Sequence, residues 1–543
     1  MRRNSVARAA VIAVTLMAAA SGARAEWLRA ETDHFVVYGD TSHASIRTYA
    51  RKIERFDALL RTYYPISVDH EIPKLEIFLA DGQADMRRAQ PGISSSIGGY
   101  YSSNNGRIHA VANTQSRMAD DVIFHEYGHH FMFQMAASAY PAWFVEGFAE
   151  YYGTIVIRDA HYQIGRPSEG RMPSLRLALN AWPPLEDVLR WQARRNGRTG
   201  DFYAIAWALT HYMMDDPERT QELRTYLAAV SNGGDPVDSM VQATGKSMGQ
   251  LRGEVRRYIN GPVRYLTPQI PVPDPEVEVT RLDPDHARLI WLDLRLDMEP
   301  VKVREFTLAR REGESDADFG RRQASTRDRV VQARSDLLRE ATAAAAINQT
   351  SPASLKARAR TELLSGDAEA ALATLEPLLG ADSQDAGALR LAAEILLEQS
   401  GEGSDVQELP GRLRRARGYL GRSLDIDPMD FQIYVALDRS RSGASDYPSP
   451  NDLSTLQVAR ELAPQSFDVR LRYARALMAL ERYPEAILQL GPVAHAPHAT
   501  GLRNQGRALM VEARRGAGLD VEDEGDPPPE EVADTEEAVA PAA

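Results

Sequence analysis

The chain has 543 residues, enough for three or four domains, and its 43% hydrophobic and 26% charged residues are ordinary for a soluble globular protein. Its formal charge of −13 is unevenly spread: ten acidic residues and no Lys or Arg fall between Asp520 and Glu537, so the remainder is mildly acidic and a nucleic-acid partner is not expected. There is no cysteine, which excludes disulfides, thiolate metal ligands, a cysteine nucleophile and a lipidated N-terminal cysteine.

Residues 1–25 read as a secretory signal peptide. Arg2, Arg3 and Arg8 precede an apolar stretch over 9–20, and Ala23-Arg24-Ala25 forms an A-x-A cleavage site. Cleavage after Ala25 removes four Arg, taking the charge to −17, and implies a periplasmic or secreted bacterial protein. No later stretch is long and apolar enough to span a bilayer, so no stable membrane span is expected after cleavage.

From residue 26 strands and helices mix. Residues 34–38 and 74–79 read as short strands, and residues 42–64 between them carry Ile46, Tyr49, Ile53, Phe56 and Leu60 at helical spacing. Strand-like residues 99–102 and 107–113 flank Ser103-Asn104-Asn105-Gly106; Asn-Gly accepts the positive φ of a tight hairpin.

Helices follow at about 119–137, 143–155, 202–215 and 248–259. The first contains His125-Glu126-Tyr127-Gly128-His129. Four residues apart on a helix, the two imidazoles project from one face and can hold one Zn²⁺. Glu126 stands beside them to take a proton from a metal-bound water, whose pKa zinc lowers from 15.7 toward about 7. The extended HExxHxxGxxH form is excluded, because Met132 and Met135 stand where Gly and His are required. A third ligand is found 17 residues after His129, in Pro141-Ala-Trp-Phe-Val-Glu-Gly-Phe-Ala-Glu-Tyr-Tyr152. There Glu146 can reach the metal, while Glu150, on the same face, can accept the other N–H of a ligand His and fix its tautomer. His130 points about 100° away from His129 on the helix and reads as structural.

HExxH followed by W-x-x-E-G-x-A, here Trp143-Phe-Val-Glu146-Gly147-Phe-Ala149, resembles the gluzincin metallopeptidases, the group of the thermolysin-like and aminopeptidase N-like enzymes. The likeness covers about residues 26–260 and is strongest from 98 to 213. It implies His125, His129 and Glu146 as ligands of one zinc per chain, Glu126 as general base and Glu150 as support for a ligand histidine. The segment Tyr203-Ala-Ile-Ala-Trp-Ala-Leu-Thr-His-Tyr-Met213 is similar to the later family helix whose leading Tyr stabilises the oxyanion. That role falls on Tyr203, with Tyr212 and Tyr162 as other candidates to line the cleft. The gap from His129 to Glu146 is slightly shorter than in aminopeptidase N-like enzymes, as in the smaller peptidase-MA-like members. Those aminopeptidases bind the substrate amine through a Glu upstream of the zinc helix, and no Glu occurs between Phe78 and Glu126. The expectation is therefore an endopeptidase, with residues 107–113 as the edge strand that pairs with an extended peptide or protein substrate.

Four prolines over residues 268–275 suggest a domain boundary. Residues 268–350 read as a linker with an Arg- and Ala-rich helix at about 316–346. Within it, residues 289–296 alternate like a strand, although Asp283-Pro284 equally suits a helix start. Beyond 350 a repeat emerges. Ala371-Leu-Ala-Thr-Leu-Glu-Pro-Leu378 matches Ala486-Ile-Leu-Gln-Leu-Gly-Pro-Val493, and Pro428, Pro464 and Pro497 lie 36 and 33 residues apart. This pattern is similar to tetratricopeptide (TPR) arrays over residues 351–516, whose concave surface suits a protein partner. The acidic tail, 517–543, reads as disordered.

The expected architecture is an α+β zincin-like metallopeptidase domain over residues 26–267, followed by an all-α TPR-like repeat domain. Two other readings stay open: a noncatalytic zinc-binding scaffold whose repeats mediate protein–protein interaction, and a zinc amidase acting on cell-wall peptides.

Overall fold

A computed structural model describes residues 26–519 apart from 66–69, 96, 104–105, 117, 160, 168–171, 173–174, 176–181, 191–198, 302–309, 311–312, 401–406 and 497–499. The signal peptide, Asn104-Asn105 of the hairpin turn, Pro497 and nearly all of the acidic tail lie outside the described residues.

The N-terminal part runs β1 (Glu26–Glu31), β2 (Phe35–Thr41), α1 (His43–Tyr63), β3 (Leu75–Ala80), α2 (Gln83–Ala89), β4 (Gly99–Ser102), β5 (His109–Asn113), α3 (Ala119–Ala136) and α4 (Ala142–Gly153). A two-stranded ribbon, β6 (Val156–Ile157) and β7 (Tyr162–Gln163), precedes α5 (Leu185–Leu189), α6 (Thr199–Met214), α7 (Pro217–Ser231), α8 (Pro236–Thr244) and α9 (Met248–Asn260). Then come β8 (Glu278–Arg281), α10 (Pro284–Met298) and the long α11 (Asp316–Ala345).

One mixed sheet has the order β4-β5-β3-β2-β1-β8. β5 runs parallel to β3, from Glu76 opposite His109 to Ala80 opposite Asn113, and β4 pairs antiparallel on its outer side. The strand expected at the edge, residues 107–113, is therefore interior. Its groups toward β3 are taken by the ladder, and the shorter β4 carries the edge instead. At the far side β8, from the segment expected as a linker, pairs antiparallel with β1, so the sheet continues past the proline run.

Strand alternation fills both faces. Val37, Ile77 and Ala110 pack with Ile53 and Phe56 of α1 and Phe124 of α3. On the other face Val36, Phe78 and Val111 pack with Met86 of α2 and Ile290, Trp291 and Leu294 of α10. α10 also buries Leu289, Leu292 and Leu296 against α11 and the first repeat helix. Two buried faces explain why residues 289–296 are ambiguous in the sequence; the helix is set by Asp283, whose carboxylate accepts from the amides of Asp285 and His286.

The C-terminal part is a TPR-like helical repeat. Antiparallel pairs are α12 (Pro352–Leu364) with α13 (Ala368–Leu375), α14 (Ala386–Glu398) with α15 (Leu409–Ile426), α16 (Phe431–Arg441) with α17 (Pro450–Leu462), and α18 (Phe467–Ala479) with α19 (Tyr483–Ala494), closed by α20 (Thr500–Gly516). Side chains of Ser351, Asp367, Asp385, Asp430, Ser449 and Ser466 cap helix starts. The matched octapeptides occupy equivalent second helices: Ala371 and Leu375 are buried in α13, as are Ala486 and Leu490 in α19. The array bends back onto the N-terminal part. Phe467 meets Phe133 of α3 edge-on with ring centroids 6.1 Å apart, His70 Nε2 lies 3.1 Å from the Glu461 carbonyl oxygen, and Gly491 sits against Ala139.

Candidate metal centre

α3 and α4 are buried around nearly their whole circumference, and small residues set their spacing. A Cβ on Gly128 would come within 3.2 Å of the Ala149 Cα, and one on Gly153 within 3.1 Å of the Asp121 carbonyl oxygen. At Gly147 a Cβ would collide with Thr210 Oγ1 and lie 2.7 Å from the Ala206 carbonyl oxygen of α6. The Gly and Ala of the E-G-x-A pattern are therefore packing positions that bring three helices together and aim Glu146 at α3.

His125, His129 and Glu146 converge, each buried. The two Nε2 atoms are 3.1 Å apart, and each lies 3.6 Å from Glu146 Oε2. Ligand atoms on a tetrahedral zinc, with bonds of about 2.0–2.1 Å, stand about 3.3 Å apart, so the donor set fits one such ion. The chemistry agrees: two imidazole edges and a fully buried carboxylate facing one point call for a positive charge there. The other nitrogen of His125, Nδ1, lies 3.4 Å from Glu150 Oε1. Burial opposes a charge on His125, yet Glu146, Glu150 and Glu126 around it outweigh that and raise its pKa. This negative surround favours a cation at the same place.

Glu126 is buried, and its Oε2 accepts the backbone N–H of Tyr101 on edge strand β4 at 3.1 Å. The general-base candidate is thereby tied to the outer strand of the sheet. The Tyr101 hydroxyl lies 3.1 Å from His130 Nδ1. His130 is buried, stacks on Tyr127 and is pushed down to about 3 by burial and by Arg61, as suits a neutral structural residue.

Tyr203 is buried on α6, one turn before the Ala206 whose carbonyl faces Gly147. The alternatives are committed elsewhere: the Tyr212 hydroxyl donates to Glu254 at 2.6 Å, and that of Tyr162 to the Arg55 carbonyl at 3.1 Å. Sequence reasoning missed Tyr101 and the group behind α3. There Tyr127 donates to Asp57 at 2.5 Å, Arg61 Nε lies 2.6 Å from the same carboxylate, and His34 joins Glu54 and Asp57. Only the Asp57–Arg61 pair, four residues apart on α1, has a local signal; the contacts of Tyr101, Tyr127 and His34 cross between elements.

No protein-family model matches the chain, and no curated protein is similar to it. Solved structures similar to part of it include a thermophilic TPR protein of Thermus thermophilus, at 18% identity over 35% of this chain and 96% of that one, with a TM-score of 0.30. MamA of AMB-1 (19% identity, 30% of this chain and 88% of that one, TM-score 0.25) and MamA of MSR-1 (19%, 30% and 85%, TM-score 0.24) are others. Among the described residues no helix is long and apolar enough to cross a membrane.

Proposed function

We propose that the chain is an exported zinc-dependent metallopeptidase, an endopeptidase whose helical repeats bind protein. The observation that carries this reading is the convergence of His125, His129 and Glu146 at the spacing of a tetrahedral zinc, with Glu126 adjacent on the same helix. Zinc in that position supplies Lewis acidity toward a peptide carbonyl and acidifies a water molecule. His125 presents Nε2 to the site because Glu150 faces its Nδ1. Glu126, oriented by the Tyr101 amide, takes the proton of the attacking water and passes it to the leaving amine. β4 is an outer strand of the sheet; its Tyr101 amide is taken by Glu126, which leaves its other edge groups for an extended chain. Tyr203 is assigned the oxyanion contact, on the resemblance of its helix. The A-x-A site after residues 9–20 is the reason for placing the protein outside the cytoplasm.

The test is zinc content by elemental analysis, wild type against His129→Ala. About one zinc per wild-type chain and almost none in the variant is the expected result. A wild type that stays metal-free after refolding with zinc would overturn the reading. A noncatalytic protein acting through its repeats is the second reading, favoured by the four helix pairs that make up the C-terminal part. A zinc-loaded chain with no hydrolytic activity on any peptide would select it.

A further inference from the structure

Glu126 and His130 stand four residues apart on α3, as His125 and His129 do, so the two pairs project from neighbouring strips of one helix. The first strip faces Glu146. The second faces β4, and both of its members hold the same residue there. Glu126 Oε2 accepts the Tyr101 N–H at 3.1 Å, and His130 Nδ1 lies 3.1 Å from the Tyr101 hydroxyl. One residue of the outer strand is thus gripped by its backbone and by the tip of its side chain, one helical turn apart.

The pairing of β4 with β5 explains why that amide reaches α3. The Asn113 N–H donates to the Gly98 carbonyl, so the ladder bonds along β4 fall on Gly98 and Tyr100. Tyr101, opposite Ala110, turns its N–H outward, away from β5 and toward Glu126. β4 is only four residues long and is held by the sheet on one side, which makes it an easy element to loosen. The hydroxyl contact supplies a second hold. His130 is buried, meets the Tyr101 ring edge-on with centroids 5.5 Å apart, and stacks on Tyr127 at 5.6 Å. Tyr127 is in turn fixed to Asp57 of α1. A continuous line of contacts therefore runs from α1 through Tyr127, His130 and Tyr101 to the Glu126 carboxylate.

A general base works only within hydrogen-bond reach of the proton it takes, and a misplacement of about 1 Å can cost about 10²-fold in rate. With Oε2 bound to a backbone amide, the Glu126 carboxylate goes where Tyr101 goes. We propose that His130 and Tyr101 are positioning residues: their contact clamps β4 against α3 and so fixes the amide that orients Glu126. The role of Glu126 as base rests on the peptidase reading; the clamp on the Tyr101 amide does not.

The first test is hydrogen exchange of the residue-101 amide, read by mass spectrometry at single-residue resolution on the full-length chain as purified. Glu126→Ala removes the acceptor and should release the amide outright. Tyr101→Phe and His130→Leu should each speed its exchange at least about fivefold while the amides of β5 keep their protection. His130→Asn, whose side-chain amide can take the place of Nδ1, should restore most of the protection. The second test is kinetic. Tyr101→Phe and His130→Leu should lower kcat on a peptide about tenfold, with KM and zinc content at wild-type levels. In a Glu126→Gln background neither change should cost anything more, because both act through that carboxylate. Tyr101→Phe keeps the ring, so it should fold even where His130→Leu does not, and it carries both tests by itself. Wild-type exchange at residue 101 in folded Tyr101→Phe would overturn the proposal. So would a further tenfold loss in the Glu126→Gln background, or zinc lost in step with kcat. The expected exchange pattern in a chain that hydrolyses no peptide would overturn the peptidase reading and leave the clamp standing.

Discussion

Among the described residues, two groups of His and carboxylate side chains in the N-terminal part are close enough together to hold a metal, and they are built differently. His125, His129 and Glu146 aim acceptor atoms at one point from two helices. His34, Glu54 and Asp57 surround a cation the chain already supplies: Arg61 Nε lies 2.6 Å from Asp57, whose other oxygen takes the Tyr127 hydroxyl. Proximity of ligand types is thus a weak criterion, and whether their charge is already answered from within the chain is a stronger one. The second group faces the back of α3 through Tyr127, so it anchors the helix that carries the first.

The sharpest way to break this comparison is to test the chemistry of the first group. Glu126→Gln should lower kcat/KM on a peptide substrate by about 10²–10⁴-fold, the usual worth of a positioned general base, while zinc content stays at the wild-type level. Equal loss of metal and activity would make Glu126 a structural residue. Next in size, Asp57→Ala should cost about 3–5 kcal/mol in urea unfolding, because it strips a buried carboxylate from Arg61 and Tyr127. Zinc content per folded chain should not change. Zinc loss in that variant at temperatures where it remains folded would mean the two groups are one functional unit.

Gly147→Ala probes the spacing of the first group without touching a ligand. The added methyl collides with Thr210 and crowds the Ala206 carbonyl, so a destabilisation of about 1–3 kcal/mol is expected from overpacking. Since Gly147 follows Glu146 directly, zinc affinity should fall with it, measured by competition with a chromogenic chelator. Wild-type affinity in this variant would show that Glu146 reaches the site independently of the α4–α6 contact.

These sites were not equally legible in the sequence. His125, Glu126 and His129 share one helix and Glu146 and Glu150 one face of the next, so spacing relates the members of each set, while only the W-x-x-E-G-x-A resemblance joins the two sets. The Ala371 and Ala486 octapeptides were legible for the same reason, since each carries the buried side of the second helix of a pair, the first running on into a 3₁₀ turn at Glu376–Leu378. The edge strand was not: a hairpin's residues do not say which of its strands the parallel β3 will take, and β5 was the one taken. Tyr101 was invisible because its partners, Glu126 and His130, are in an element distant in sequence. Residues 289–296 failed differently, as two buried faces remove the polar positions that reveal a helical period.

The smallest effect expected separates the groups by pH. His34 is partly exposed, and its pKa is raised chiefly by the hydrogen bond to Glu54, against burial, with Asp57 assisting and Arg61 opposing. Glu54 is lowered overall: burial raises it, but His34 and Thr32 outweigh that. A group whose folded pKa is raised stabilises the fold below its unfolded pKa, and that contribution fades as pH rises through the folded value. A depressed carboxylate behaves oppositely, contributing above its unfolded pKa and losing that contribution as pH falls through the folded one. The His34–Glu54 contact should therefore stabilise the fold in the window between the carboxylate range and the raised His34 pKa, and less at higher pH. Urea midpoints of wild type and His34→Gln should differ most near pH 5.5 and converge near pH 8.5. A gap that stays constant across that range would show the contact to be a neutral hydrogen bond. A gap that widened toward high pH would mean that His34 meets its carboxylates as a neutral ring, and the second group would then be open to a metal after all.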